Sequence, residues 1–187
     1  EGFNIGATCV ATENSVPFEY TADESDCLNG DPVNSYCTIV NNKDPVAYPG
    51  EIIRFDFEDG NTNGWSLNGN VVIDGILAIG QYSLRHAKGS ESERSVSTVG
   101  YENVSVTMQI AATSLKKNDS CVAEVSGNNG NTWTPVVEVG SGNDNGTFFD
   151  GEASPPGADD NSGLRLRFRA TGRGKGGYCY GDEVIVS

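Results

Sequence analysis

Val104-Ser105-Val106-Thr107-Met108-Gln109-Ile110 alternates apolar and polar side chains without a break. Successive side chains of an extended chain point to opposite faces, so the stretch reads as a strand with one face on a core and one in water. No amphipathic helical pattern competes with it. Leu164-Arg165-Leu166-Arg167-Phe168-Arg169 repeats the alternation, with its apolar residues on one side and three guanidinium groups on the other. Ile53, Phe55 and Phe57 share one face in the same way, opposite Arg54, Asp56 and Glu58.

Working outward from these stretches, the spacing predicts further strands over 70–73, 75–79, 82–85, 121–126, 135–139 and 184–187, separated by Gly- and Asn-rich turns. Many short strands without a βαβ rhythm leave an antiparallel two-sheet sandwich or an open barrel, and the all-β jelly roll is the architecture expected. The chain has 187 residues with 24 Gly and 7 Pro, which suits one such domain with an appendage. The main domain is expected over residues 49–187. Residues 1–48 hold three cysteines, little alternation and turn-forming stretches such as Asn29-Gly30-Asp31-Pro32 and Asn41-Asn42-Lys43-Asp44-Pro45, and read as a small disulfide-pinned appendage. The polar segment 141–163 reads as a long surface loop.

A formal net charge of −14 repels phosphate backbones and anionic headgroups, which argues against nucleic-acid or membrane-surface binding. No window of about 18 apolar residues is present, so no membrane insertion is expected. Nor does the stretch after Glu1 have signal-peptide character, and the mature form of a secreted or extracellular protein is expected. Cys9, Cys27, Cys37, Cys121 and Cys179 match neither a CxxC zinc pattern nor a thiol-protease set, and point to an oxidising compartment. Two bridges and one leftover thiol are expected, and the pairing preferred is Cys121 with Cys179, both placed on strands.

Phe55-Asp56-Phe57-Glu58-Asp59-Gly60-Asn61 gathers three carboxylates and an amide where a strand runs into a turn, and Asp182-Glu183 stands just before the last predicted strand. First and last strands of a sandwich are often neighbours, so the two groups could together supply the oxygens of one Ca2+. The alternative is a solvated acidic turn. Gly172-Arg173-Gly174-Lys175-Gly176-Gly177 has no helix pattern behind it and reads as a flexible hairpin turn rather than a phosphate loop.

The stretch FDFEDGNTNGW from Phe55, the SLR at Ser83 and the closing YGDEVIV from Tyr180 resemble the opening, middle and end of jelly-roll carbohydrate-binding modules. CVAEVSGNNGNTWTPVVEV from Cys121 is similar to a hairpin of such secreted modules. MAM domains share the opening, but this chain lacks their cysteine framework. The resemblance spans about 52–187 and implies a structural calcium near the chain ends, with a sugar platform on a concave sheet or its loops. For the metal it carries over Asp56, Glu58, Asp59 and Asp182, to which the chemistry of the turn adds Asn61.

Pyranose rings stack their C–H faces on flat aromatic surface, while amides, carboxylates or Arg take the hydroxyls. Trp133 beside the Asn128-Asn129-Gly130 turn is one candidate; Tyr82, Arg85, Tyr178 and Tyr180 could form a platform; Trp65 is expected in the core. Arg167, in the basic stripe, could grip the uronate or sulfate of an acidic polysaccharide, although pairing with neighbouring carboxylates is the simpler expectation. The function expected is that of a secreted, non-catalytic module recognising a polysaccharide or glycan, with an extracellular adhesion or protein-interaction module of MAM-like type as the alternative. An enzyme is a weaker third reading, since His86 is the one histidine and no Gly-x-Ser-x-Gly elbow is present.

Overall fold

The computed structural model describes residues 20–23, 40–43, 50–172 and 176–187. The chain divides into two compact units, Glu1–Tyr48 and Pro49–Ser187. In the first, β1 (Tyr20–Asp23) pairs antiparallel with β2 (Val40–Lys43), in register from Tyr20 opposite Lys43 to Asp23 opposite Val40. Asn41, Asn42 and Lys43, expected in a turn, therefore lie in a strand, where ladder pairing overrides their low strand propensity. Cys9, Cys27 and Cys37 lie outside the described residues.

The second unit is an antiparallel β-sandwich. Its strands are β3 (Ile53–Phe55), β4 (Ser66–Asn68), β5 (Val71–Asp74), β6 (Ser83–Ala87), β7 (Glu91–Val96), β8 (Val106–Thr113), β9 (Ser120–Ser126), β10 (Thr134–Gly140), β11 (Phe149–Ala153), β12 (Leu164–Ala170) and β13 (Tyr178–Val186). One sheet runs β10-β9-β12-β7-β4; the other runs β11-β8-β13-β6-β5, with β3 also paired to β13. The expected two-sheet jelly roll is the observed architecture.

Alternation builds the core. Leu164, Leu166 and Phe168 from β12 and Val106, Met108 and Ile110 from β8 are fully buried between the sheets. Trp65, 4% exposed, sits among Phe55, Phe57 and Phe168, with ring centroids 5.8, 6.1 and 5.3 Å away. Gly181 lies where any Cβ would run into the Phe168 ring, so the close approach of β13 to β12 requires glycine there. Cys121 in β9 is bonded to Cys179 in β13, with Cα atoms 5.5 Å apart, and the bridge ties one sheet to the other.

Several strands differ from expectation. Residues 75–79 form no strand, because Asp74 turns the chain by accepting the Ile76 N–H at 2.7 Å and Gly80 takes φ of 95°. β7 escaped notice since Ser92 fills an inward position with a hydroxyl, and β11 lies within the segment expected as a loop. β12 and β13 belong to different sheets and so do not form the hairpin expected around Gly172–Gly177, of which residues 173–175 lie outside the described residues.

His86 in β6 is fully buried and spans the sandwich. Its Nδ1 donates to the Leu84 carbonyl at 3.0 Å, which leaves Nε2 to accept the Ser92 hydroxyl of β7 at 2.8 Å. Burial lowers its pKa to about 4. A depressed pKa on a cation favours the neutral form in the fold, so this contribution is complete above pH 6.5 and is lost as pH falls from 6.5 toward 4, amounting to about 3 kcal/mol. Urea denaturation across that window is expected to show a smaller pH dependence for H86Q than for the unaltered protein; parallel curves would assign the acid loss to other groups.

Candidate functional site

The pleat that buries Leu164, Leu166 and Phe168 sends Arg165, Arg167 and Arg169 to the outer face of the five-stranded sheet. Register places Arg167 opposite Glu124 of β9 on one side and Glu93 of β7 on the other, and Arg169 opposite Glu91. Glu124 Oε2 accepts from Arg167 Nε and Nη2 at 3.0 and 2.8 Å and from Arg169 Nε at 3.1 Å, while Oε1 accepts from Arg169 Nη2 at 3.0 Å. Arg167 Nη1 is 3.7 Å from both Glu91 and Glu93, and Arg165 Nη1 is 3.5 Å from Glu93. The Glu124 hydrogen bond raises the Arg169 pKa above its ordinary value. The basic stripe is thus paired within the sheet, the simpler of the two expectations. Its partners Glu91, Glu93 and Glu124 were missed in the sequence, although Glu124 stands out as the one charge in the apolar run Cys121–Val125.

Trp133 lies just before β10 on the β9–β10 hairpin, which follows the expected strand, Asn/Gly turn and strand order. Asn128 organises the turn: its Oδ1 accepts from Thr132 N–H at 2.9 Å, its Nδ2 donates to Thr132 Oγ1 at 2.7 Å, and Asn129 takes φ of 60°. The half-buried Trp133 ring then lies over the Arg167 guanidinium, 3.8 Å from its centroid. Arg165 Nε donates to Asn129 Oδ1 at 3.0 Å and joins turn to sheet.

The other expected ligand residues lie elsewhere. Arg85 and Tyr180 are opposite one another in the six-stranded sheet, and Arg85 Cζ is 4.9 Å from the Tyr178 ring centroid while its Nε is 2.9 Å from Asp74 Oδ2. Residues 75–82 fold back over this face: Ile79 N–H donates to Asp182 and Leu77 packs against Gly146. Tyr180 is only 3% exposed, which corrects its expected place in an open platform, whereas Tyr178 and Tyr82 are 39% and 37% exposed. The six residues thus divide between the outer faces of two sheets. A recess of about 340 Å3 at Asn103, Pro155 and Asp159 is lined by loop and turn residues and holds no aromatic ring.

Pairing of Val184 with Phe55 brings the two ends of the sandwich together. A register shift between Asp182 and Ile185, with Glu183 at φ of 44°, marks a bulge that changes which face β13 presents. Asp182 is fully buried and accepts from Ile79 and Glu183 N–H at 2.8 Å each. Burial raises its pKa to about 7, with Glu183 and Glu58 adding repulsion. Glu58 accepts from Gln81 N–H at 2.8 Å and from Tyr82 N–H at 3.1 Å, on the same connection that Asp182 holds. Asp56 instead neighbours Glu183, which pairs with Arg54 at 2.6 Å. Asp59 and Asn61 are exposed and form a turn with one another at 2.9 Å. Among the described residues no group of three or more His, Cys, Asp or Glu is poised around one point. Of the five residues expected at a metal, Glu58 and Asp182 hold the same connection, and both carboxylates accept main-chain N–H groups.

No family model matches the chain, and no curated protein matches it. Solved structures do. A family 61 carbohydrate-binding module in complex with β-1,4-galactotriose has a TM-score of 0.55 at 17% identity, covering 71% of this chain and 93% of that one. The C-terminal family 22 carbohydrate-binding module from Clostridium thermocellum has a TM-score of 0.52 at 17% identity, covering 74% and 92%. A cleaved adhesin domain of Lys-gingipain from Porphyromonas gingivalis has a TM-score of 0.50 at 14% identity, covering 73% and 99%. The fold is the β-sandwich of carbohydrate-binding modules. At such identities the likeness concerns the fold alone.

Glu58 has a structural task independent of any ion, since it accepts two main-chain N–H groups. E58A, compared with the unaltered protein by chemical denaturation in excess chelator, is expected to lose about 1–3 kcal/mol. No change there would show that these hydrogen bonds do not hold the 79–82 connection.

Proposed function

We propose that the second unit is a non-catalytic polysaccharide-binding module whose contact surface is the outer face of the five-stranded sheet. The observation that carries this reading is Trp133, half-buried and stacked on Arg167 within an array of planar polar groups. An indole offers the flat apolar surface a pyranose stacks on, and neighbouring carboxylates and guanidinium groups serve its hydroxyls. Arg165 and Arg169 side chains are each 37% exposed and Glu91 and Glu93 are 30% and 29% exposed, so the array is reachable. The fold likeness to a module solved with a galactotriose supports the same substrate class. A role outside the cell agrees with the Cys121–Cys179 bridge, since such bonds persist in oxidising surroundings.

Affinity electrophoresis through gels containing xylan, galactan or a β-glucan tests this directly. Retardation is expected on at least one of them, and W133A is expected to weaken binding by roughly 30-fold, the scale of a central aromatic anchor. Migration unaltered by every polysaccharide would sink the reading. The fold likeness to an adhesin domain keeps a protein-interaction module as the second reading; cell-surface binding that survives both glycan competition and W133A would favour it.

Calcium is proposed as a structural ion held by Glu58 and Asp182, motivated by the fully buried carboxylate of Asp182 standing near those of Glu183 and Glu58 with no basic partner beside it among the described residues. An ion bound only by the folded state stabilises by mass action, about 2.7 kcal/mol at a concentration one hundred times Kd. Chelator is expected to lower Tm with the disulfide intact, and D182N is expected to abolish the response to added calcium. A melting curve indifferent to both chelator and calcium would remove the ion.

A further inference from the structure

We infer that Glu124 makes the outer face of the five-stranded sheet selective for uncharged polysaccharides over anionic ones. The inference rests on that face being the contact surface, as proposed above. Glu124 is 5% exposed and satisfies both Arg167 and Arg169 with a single carboxylate, four nitrogen contacts falling between 2.8 and 3.1 Å. Its Oε2 accepts from both Nε and Nη2 of Arg167 and so fixes the guanidinium on which the Trp133 ring lies, and the same carboxylate thereby orients the stacking surface.

Charge on the face is balanced in a way that excludes anions. Arg165, Arg167 and Arg169 are faced by Glu91, Glu93 and Glu124, and Glu138 of β10 also acts on Arg169. Carboxylates outnumber guanidinium groups, on a chain of net charge −14. Glu124 already holds Arg167 and Arg169, so a uronate or sulfate could reach only the outward N–H groups of Arg165 and Arg169, where it would meet the charges of Glu91 and Glu93 at close range. A neutral sugar meets no such repulsion. Its hydroxyls can donate to the half-exposed Glu91 and Glu93 oxygens and accept from outward N–H groups of Arg165 and Arg169 while every ion pair stays intact. Glu124 is therefore a positioning residue, acting through the two arginines and the indole.

Binding isotherms at fixed ionic strength on xylan, galactan and polygalacturonate test this. The unaltered protein is expected to bind its best neutral ligand at least about tenfold more tightly than polygalacturonate. E124Q keeps the shape but frees the guanidinium charge: polygalacturonate is expected to gain several-fold, and the neutral ligand to lose several-fold, while acrylamide quenching of Trp133 rises as the ring loosens. Should E124Q fold poorly, E93Q at the half-exposed rim is expected to move selectivity in the same direction. Polygalacturonate bound as tightly as the best neutral polymer would overturn the inference and leave the module reading standing. Selectivity unchanged in both variants would also overturn it. Absence of binding to all three polymers would remove the module reading itself, and this inference with it.

Discussion

In β12 one pleat settles two things together. Because side chains alternate, the register that delivers Leu164, Leu166 and Phe168 to the interior also delivers Arg165, Arg167 and Arg169 to the outside. A slip of a single residue would expose the apolar set and bury three guanidinium groups, and each of those costs several kcal/mol. The pairing with β7 and β9 on either side is thereby held at one register, and the carboxylates of Glu93 and Glu124 arrive beside Arg167 as a consequence. The arginine array and the hydrophobic core are two sides of the same strand.

At the other sheet the chain uses a bulge for a related purpose. Before it, Cys179 and Gly181 face the core; after it, Val184 and Val186 do. The change of phase leaves Asp182 on the outward side yet fully buried, because the 75–82 connection closes over it. An acid placed there is desolvated without a paired base, and this is why its ionisation is resisted. The two aromatic groups stand on the outer faces of different sheets, Tyr178 and Tyr180 on β13 and Trp133 beside β10.

Where alternation is strict, as at β8 and β12, the sequence was readable, and so was the bridge between Cys121 and Cys179. Strands whose inward positions are small or polar were not: β7 turns a serine and an arginine inward, and β4 is three exposed residues long. A two-residue period cannot be seen when hydrophobicity does not carry it. Site residues followed the same rule. Arg167 and Trp133 could be singled out by type, but their being together, and the separation of both from Tyr178 and Arg85, depend on which strand belongs to which sheet. Glu91, Glu93 and Glu124 were ordinary acids until β7 and β9 were known to flank β12.

A chain cross-linked between its two layers responds unevenly when it is pulled. The Cys121–Cys179 bridge crosses between the layers and joins residues 58 positions apart in the chain, from β9 through β12 into β13. Under tension that loop cannot pay out, which withholds roughly 200 Å of contour length. The strand bearing the guanidinium groups lies inside the locked portion. Tension applied at the ends of the sandwich is carried through the bridge and bypasses the strand that bears Arg167 for as long as the bridge is intact.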